Sequence, residues 1–219
     1  MTVLYETKKF RYEIFELKYL NEMANLVAQA FTFSDPMAIV QNFTIAEFAD
    51  YVELLGRNIE EQKLTIVAKD KLTNKLVGAV IAADFISDST LNPENSDDLS
   101  IKFEPIVELL MSLEHQYTHN KQIKIGEYLH VYMLAVSPEY RGERIAQNLV
   151  RLCLENGVQR DFSNAVTEAA NSISQHIFKK LDFMSRHEIS YQEFTYQGEQ
   201  IFSSIEGHSG TILMDKSLI

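Results

Sequence analysis

The segment LAVSPEYRGERIAQNLV, residues 134–150, runs from an apolar strand-like stretch through a polar turn directly into an amphipathic pattern. A helix that begins at the end of a strand presents backbone N–H groups without intrahelical partners, together with the positive end of its dipole. Gly142 and Ala146 are small enough to let a ligand approach this backbone, and Arg141 adds positive charge. The segment therefore predicts a pyrophosphate-binding turn, although an ordinary strand-to-helix turn uses similar residues.

Two other phosphate-binding patterns do not occur in the chain. No glycine-rich stretch ends in Gly-Lys-Ser or Gly-Lys-Thr, and no Gly-x-Gly-x-x-Gly follows a strand-like run. The sequence therefore disfavours a nucleoside triphosphatase and a dinucleotide-binding Rossmann enzyme.

Composition narrows the class of protein further. The 219 residues, 46% of them hydrophobic, suffice for one substantial core. The 20 Lys and Arg residues against 31 Asp and Glu give a net charge of −11, which disfavours nucleic acid and anionic membranes as partners. Cys153 is the only cysteine, so we expect it to fill the core of a disulfide-free protein. With no signal-like apolar segment and no run of eighteen apolar residues, we predict a soluble, cytoplasmic protein.

Hydrophobic periodicity predicts interleaved strands and helices, and therefore an α/β sheet covered by helices. Predicted strands cover residues 10–17, 63–70, 75–85, 127–136, 164–170, 186–194 and 211–218. Predicted helices cover residues 21–31, 44–62, 103–119, 145–157 and 172–183.

Local signals place several helix ends and one hairpin. Asn21 is a suitable N-cap for the first helix, and the Asp35-Pro36 pair should interrupt that helix. Thr44 and Glu47 have the spacing of a capping box. The strands at 63–70 and 75–85 read as a hairpin, and the polar residues 87–100 as a surface loop.

The opening segment resembles the acyl-CoA-binding motif of the GNAT superfamily of N-acetyltransferases, in which a strand ends in Val-x-Pro-x-Tyr-Arg-Gly and a loop Arg/Gln-x-x-Gly-x-Gly/Ala opens a helix. Arg141 and Ala146 fit this motif, whereas Arg144 replaces the loop glycine. The segment NSISQHIFKKLDF, residues 171–183, is similar to the family's later Asn-initiated helix and its Lys-x-Gly-Phe-like turn, with Asp182 where glycine is usual.

The resemblance implies a single GNAT domain over residues 1–219. Its fold would be a mixed, mostly antiparallel sheet of about seven strands that is splayed at the fourth strand, with helices on both faces. A loop-plus-helix segment, residues 87–120, would lie between the third and fourth strands.

The resemblance also implies acetyl-CoA as the acetyl donor, without a metal. The fourth strand would pair with the pantetheine arm and supply an oxyanion donor near Leu134 or Ala135. The residues expected to contact the cofactor are Leu134, Ala135, Val136, Arg141, Gly142, Glu143, Arg144, Ile145, Ala146, Asn171 and Phe178. Because a non-glycine residue is costly in left-handed geometry, we expect Arg144 to be right-handed, with its guanidinium near the outer phosphates.

A narrower resemblance is to the arylalkylamine N-acetyltransferases, on the basis of the FSDPM segment at residues 33–37, the 104–119 helix and Ser174. It implies that Asp35 is the catalytic base. His130 and Tyr132, which share one face of a strand, are alternative bases, although a strand histidine is also a common packing residue. Phe178 stands where many members carry a tyrosine that acts as the general acid and protonates the departing thiolate. Ser174 is therefore the candidate proton donor. The alternative is that Ser174 is a small residue that only allows close packing of the helix.

Two further clusters have competing interpretations. His115 and His119 lie one helical turn apart, but no third ligand follows in the sequence, so we predict no metal site. Four phenylalanines in the first helices form either core or an aromatic wall for an aryl amine: Phe31, Phe33, Phe43 and Phe48.

The resemblance predicts acetyl transfer to the primary amine of a small molecule, such as an arylalkylamine or a polyamine. Two alternatives stay open: acetylation of a protein N-terminus or lysine, and a catalytically silent CoA-binding module. We expect no nucleic-acid or membrane partner, and either a monomer or a homodimer.

Overall fold

Eight strands form one sheet in the part of the chain that the structure, a computed structural model, describes, namely residues 2–86 and 101–219. Their order across the sheet is β1-β2-β3-β4-β5-β6-β8-β7. The strands are β1 (Val3–Glu6), β2 (Phe10–Ile14), β3 (Ile66–Asp70), β4 (Leu76–Asp84), β5 (Tyr128–Val136), β6 (Asn164–Ala169), β7 (Met184–Ser190) and β8 (Gly210–Ser217). The helices are α1 (Leu20–Ser34), α2 (Pro36–Val40), α3 (Ile45–Ile59), α4 (Glu104–Thr118), α5 (Ile145–Val158) and α6 (Ser172–Lys180).

One pair of neighbouring strands is parallel, β5 with β6, and the other neighbours are antiparallel. The parallel pairing covers only residues 128–130 of β5, after which the two strands separate. The expected GNAT fold, with its splayed strand, is therefore confirmed. The predicted fourth strand is β5, because the short edge strand β1 was not anticipated: three of its four residues are exposed and show no apolar alternation.

Helices cover both faces of the sheet, as expected. Buried residues of α1 and α3, such as Val27 and Val52, pack on one face. Residues of α5 and α6, such as Leu149, Cys153 and Phe178, pack on the other. Cys153 is fully buried, which agrees with its predicted role in the core. A third cluster joins α4 to β6, β8 and the segment that precedes β8.

Most of the predicted helix ends are confirmed. Helix α1 ends at Asp35, and the side chain and backbone of Thr44 and Glu47 form the expected capping box of α3. Asn21 is not an N-cap, because a 3-10 turn at Leu17–Tyr19 leads straight into α1 and already bonds the first N–H of the helix. The same turn ends the predicted strand 10–17 early, at Ile14.

The predicted loop 87–100 lies outside the described residues. Helix α4 falls between β4 and β5, as the sequence predicted for residues 103–119. Among the residues that the structure describes, no helix has both the length and the apolar composition needed to cross a membrane.

Candidate active site

An open cleft occupies the space where β5 and β6 separate. Because these strands are parallel, their carboxyl ends lie on the same side, and each leads to a helix N-terminus: α5 after β5, and α6 after β6. We call this space the strand cleft. It is lined by Ala30, Phe31, Ser34, Asp35, Val131, Tyr132, Leu134, Thr167, Glu168, Ala170, Asn171, Ser174 and Phe178.

A β-bulge sits on β5 where the splay begins. Ile81 of β4 pairs with Met133, whereas the next residue, Ala82, pairs with Val131, so that Tyr132 is an extra residue on β5. A bulge of this kind redirects a side chain and ends regular pairing. It gives Tyr132 a place in the wall of the strand cleft.

A second, mainly apolar cavity adjoins the strand cleft. Side chains of α3 and α4 close it, and five residues belong to the walls of both spaces. We call it the apolar cavity. The shared residues are Phe31, Asp35, Tyr132, Glu168 and Ala170; the other lining residues are Met37, Phe48, Tyr51, Phe103, Ile106, Val107, Leu110 and Met133.

The four phenylalanines of the first helices divide between the two interpretations. Phe31 and Phe48 stack with ring centroids 5.3 Å apart and line the apolar cavity, as an aromatic wall would. Phe43 is buried against Phe103 and Phe48 as part of the core. Phe33 is 75% exposed and belongs to neither group.

Asp35 links the end of α1 to the start of α2. Its side chain caps α2 by accepting a hydrogen bond of 2.9 Å from the backbone N–H of Ala38. Burial raises the pKa of this carboxyl group to about 6, although the hydrogen bond to Ala38 opposes the shift. A carboxyl group with this pKa is suited to accept a proton near neutral pH.

His130 lies behind the wall of the strand cleft, because its side chain is buried and lines neither space. Its Nε2 lies 2.6 Å from Oε2 of Glu168, and its ring centroid lies 3.8 Å from that of Tyr132. The structure therefore places His130, a candidate base in the sequence analysis, outside the linings of both spaces, and its role as a base stays a prediction. Glu168, which was not predicted, is the residue that reaches the site.

A group of possible metal ligands lies around the same histidine. One donor atom each from Glu114, His130 and Glu168 lie within 4.8 Å of one another, a combination of imidazole and carboxylates that several divalent metals accept. The pair named in the sequence analysis, His115 and His119, has ring centroids 5.9 Å apart. Within this group, Nε2 of His130 and Oε2 of Glu168 already form a hydrogen bond.

Ser174 and Asn171 form the N-terminal cap of α6. The Asn171 side chain accepts hydrogen bonds from the backbone N–H groups of Ile173 and Ser174, and Ser174 Oγ donates to the Asn171 carbonyl at 2.9 Å. Ser174 faces the strand cleft, but its hydroxyl proton is engaged in this cap. Phe178, one turn later, is 2% exposed and closes the cleft with an aromatic edge that cannot donate a proton.

Some of the backbone N–H groups in the loop between β5 and α5 are available to an anion, and others are already hydrogen-bonded. Arg141 donates its N–H to Pro138, and Glu143 donates a long bond of 3.4 Å to Tyr140. Ile145 and Ala146 belong to the first turn of α5, so their N–H groups have no intrahelical acceptor. Of the residues 141–146 that the sequence analysis expects to contact the cofactor, residues 142 and 144–146 are thus the four whose backbone N–H groups are suited to a phosphate.

Gly142 is the residue that lets this loop turn. Its φ angle is +84°, and an added Cβ would meet nothing within 4 Å, so a ligand can approach its backbone. The Glu143 carboxylate would repel a phosphate, but it forms an ion pair of 2.5 Å with Lys9. That pairing reduces the negative field at the loop.

The expectation that Arg144 is right-handed is wrong. Its φ and ψ angles are 59° and 21°, which is the left-handed region, and it stands at the N-cap position of α5. The chain must change direction within a few residues between the 3-10 turn at Pro138–Tyr140 and the start of α5, and Arg144 stands at the position where the family motif has glycine. Arginine occupies that conformation at a cost of about 1–2 kcal/mol.

The structure brings five predicted residues together with Asp35 in the strand cleft: Tyr132, Leu134, Asn171, Ser174 and Phe178. Ala135 and Val136 continue β5 towards the loop but do not line the cleft, since Ala135 is buried under α1 and α3. Glu168 was missed, although one signal was present: it is the only charged residue in the strand NAVTEA.

Comparison with known proteins identifies the class. The family model described as Acetyltransferase (GNAT) family matches residues 20–183, and the chain therefore belongs to the GNAT acetyltransferase family. No curated protein sequence matches the chain.

Several solved structures are similar to the chain over nearly its whole length. Arylalkylamine N-acetyltransferase 2 from Aedes aegypti is 21% identical with a TM-score of 0.79, covering 96% of this chain and 99% of its own. The C-terminal condensation domain of Ebony, bound to β-alanyl-dopamine, is 15% identical with a TM-score of 0.84 and covers 95% and 99%. A Drosophila melanogaster polyamine N-acetyltransferase that forms N-acetylagmatine is 15% identical, with a TM-score of 0.78 and coverage of 95% and 99%. At these identities the likeness shows a shared fold.

Proposed function

We propose that this chain is an acetyl-CoA-dependent N-acetyltransferase that acetylates the primary amine of a small molecule. The observation that carries the proposal is the pair of joined spaces: a strand cleft suited to a thioester and an apolar cavity suited to an acceptor, with Asp35 in both walls. We further propose that residues 1–219 form one catalytic domain and act in the cytoplasm as a monomer or homodimer.

The residues of the chain fit acetyl-CoA at two places. Beyond His130, β5 has no pairing with β6, so its backbone from residue 131 onward is suited to pair with the pantetheine arm instead. The amide groups of Gly142 and residues 144–146, at a helix N-terminus, are suited to the pyrophosphate. When bound, acetyl-CoA supplies an activated acetyl group as a thioester. The backbone N–H near Leu134 is the proposed oxyanion donor.

Asp35 is the proposed general base. Attack on a thioester requires a neutral amine, and the attacking nitrogen must then lose a second proton. Asp35 is charged above about pH 6, lies in the wall shared by both spaces, and is held in place by Ala38. It therefore receives the proton from the attacking nitrogen.

Tyr132 is the proposed acid that returns a proton to the departing thiolate. The bulge on β5 directs its ring into the wall shared by the strand cleft and the apolar cavity. Ser174 lines the strand cleft but not the apolar cavity, and its hydroxyl proton is donated to the Asn171 carbonyl. We expect Tyr132→Phe to lower kcat more than Ser174→Ala does.

The lining of the apolar cavity favours an arylalkylamine over a polyamine. Its walls are formed by aromatic and aliphatic side chains, and its two carboxylates, Asp35 and Glu168, both lie in the wall shared with the strand cleft. A second ammonium group at the far end of an acceptor would meet aromatic and aliphatic side chains and no carboxylate there, which is costly. An aromatic ring would bury its surface favourably.

The test is a panel of acceptors with purified protein. We expect CoA and acetyl-CoA to raise the melting temperature, and phenylalkylamines to release free thiol from acetyl-CoA faster than agmatine or spermidine do. Peptides with a free N-terminus or an internal lysine belong in the same panel, because turnover with these alone supports the protein-acetylating alternative. CoA binding without thiol release from any acceptor supports the catalytically silent alternative, and no binding of either CoA form contradicts the proposal.

A further inference from the structure

Glu168 holds a buried carboxylate oxygen that lacks a hydrogen-bond partner. Its side chain is 6% exposed; Oε2 contacts Nε2 of His130, but Oε1 has no partner among the described residues. Leaving such an oxygen desolvated and unpaired costs about 1–3 kcal/mol, and more for a charged group. A buried polar atom in this state is a marker for a missing ligand.

The surroundings of Glu168 point to a cation as that ligand. Glu168 is one of five residues that line both the strand cleft and the apolar cavity, and Asp35 is the other carboxylate among them. Neither space has a Lys, Arg or His side chain in its described lining. Two carboxylates therefore face the same junction with no cationic side chain in its walls to balance them.

The support of Glu168 is rigid. Nε2 of His130, on the adjacent strand β5, holds Oε2, and the neighbouring Thr167 hydroxyl donates to the carbonyl of Val131 at 2.9 Å, which ties β6 to β5 where they separate. Glu168 lines both spaces, and its remaining oxygen has little freedom to turn away from them. Fixed acceptors of this kind orient a ligand N–H.

We propose that Glu168 binds the ammonium group of the acceptor at this junction and that His130 is a positioning residue that acts through Glu168. The inference rests on the proposed function and assigns the acceptor a cationic amine that is directly recognised. Glu168 accepts an N–H bond from the acceptor nitrogen and keeps that bond after the first proton has passed to solvent. The nitrogen lone pair is then oriented for attack, while Asp35 receives the second proton.

The main experiment compares steady-state kinetics of the wild type and Glu168→Gln with one phenylalkylamine acceptor. We expect KM for the amine to rise about tenfold or more, because a charge-assisted hydrogen bond is lost, whereas KM for acetyl-CoA stays unchanged. Calorimetric titration of the amine into the complex with CoA, which cannot react, should show the same loss of affinity. Glu168→Asp, which keeps the charge but withdraws the oxygen, should fall between the two.

Glu114→Gln is the matched control. Glu114 also offers an oxygen within 4.8 Å of donor atoms of His130 and Glu168, but it lines neither the strand cleft nor the apolar cavity. We expect it to leave the KM for the amine within about twofold of the wild type. An equal rise in both variants would show a general charge effect and would overturn the assignment.

A double-mutant cycle tests the role of His130. If His130 acts through Glu168, then adding His130→Gln or His130→Ala to Glu168→Gln causes no further loss in kcat/KM. Independent, multiplicative losses would make His130 act on the reaction by its own route and would overturn its role as a positioning residue. Since His130→Gln keeps a side-chain N–H donor, it should retain more activity than His130→Ala.

Two outcomes separate this inference from the proposed function. A wild type that turns over amines, with a KM for the amine that Glu168→Gln does not change, refutes the inference alone. A wild type with no turnover of any amine refutes the proposed function. A wild type that loses activity in EDTA and regains it with Zn²⁺, while Glu168→Gln loses Zn²⁺ binding, would make Glu168 a metal ligand and would also overturn the inference.

Discussion

At the scale of single residues, the burial of Asp35 decides both its chemistry and its effect on stability. The pKa of the carboxyl group is 3.8 in the absence of burial and about 6 in the folded protein. The folded state therefore binds a proton more tightly than the unfolded state, and stability falls as the pH rises from about 4 to about 6. Above that window, the charged carboxylate lowers stability by a constant amount.

Asp35→Asn should separate these two effects. We expect kcat to fall by about 10²-fold or more because the base is lost, while the free energy of unfolding at pH 7 rises by about 1–2 kcal/mol. Urea unfolding at pH 4 and pH 7 measures the second effect, and the gain should vanish at pH 4.

In the wild type, kcat/KM should fall as the pH drops through about 6; a profile that is flat from pH 7 to pH 5 would contradict the role of Asp35.

Arg144 stores strain at the start of α5. Since its φ angle is 59°, Arg144→Gly should raise the stability by about 1 kcal/mol, or Tm by about 2–4 °C. Arg144→Ala keeps the Cβ and the strain, so it should leave Tm nearly unchanged. If the guanidinium contacts the outer phosphates, both variants lose CoA affinity at low salt; full affinity in both would make Arg144 a residue of loop geometry alone.

At the scale of elements, the position of α5 depends on Gly78 of β4. A Cβ at residue 78 would lie 3.0 Å from side-chain atoms of both Ile145 and Leu149 and 3.2 Å from the Ala135 carbonyl oxygen. The first two turns of α5 therefore rest directly on the β4 backbone. This close approach fixes the helix N-terminus relative to β5, and with it the proposed phosphate site.

Gly78→Ala should move the start of α5 outward. We expect a loss of about 1–3 kcal/mol in stability from overpacking, together with weaker CoA binding. Gly157→Ala is the matched control, because its Cβ would meet Leu129 at 2.8 Å near the other end of α5. It should lower stability without changing CoA affinity, and calorimetric titration of both variants decides the comparison. Equal CoA affinities in the two variants would contradict a link between Gly78 and the phosphate site.

The elements differ in how well the sequence predicts them. The strand-turn-helix at residues 134–150 and the capping box at Thr44 depend on neighbours in the chain, so the sequence predicts them correctly. The start of α1 depends on a 3-10 turn, and the edge strand β1 depends on pairing with β2 rather than on its own apolar residues. The pairing of β1 is a tertiary contact that local propensity does not contain, whereas the 3-10 turn is a local feature that the N-cap signal at Asn21 did not indicate.

At the scale of the whole molecule, a net charge of −11 should affect the two substrates in opposite directions. The proposed acceptor is a cation and the proposed donor, acetyl-CoA, is an anion, so the field of the protein should attract one and repel the other. Salt screens both interactions, with a Debye length of about 8 Å at physiological ionic strength.

Raising the salt concentration should therefore increase the KM for the amine and decrease the KM for acetyl-CoA. We expect changes of about twofold to fivefold between 20 mM and about 200 mM NaCl. A neutral competitive inhibitor with the carbon skeleton of the acceptor is the control, since its inhibition constant should not change with salt. Parallel changes for the amine and the neutral compound would show an effect of salt on the protein itself.

The sequence by itself determined the family, the strand-turn-helix at residues 134–150 and the candidate base Asp35, because each is carried by a contiguous motif. Only the tertiary structure decided which residues meet. Glu168 and His130 come from two parallel strands, the burial of Asp35 comes from packing around α2, and the left-handed Arg144 comes from the path between β5 and α5. The first two features depend on packing between segments that no local pattern records. The Arg144 conformation is local, but it contradicts the general rule that a non-glycine residue avoids left-handed geometry.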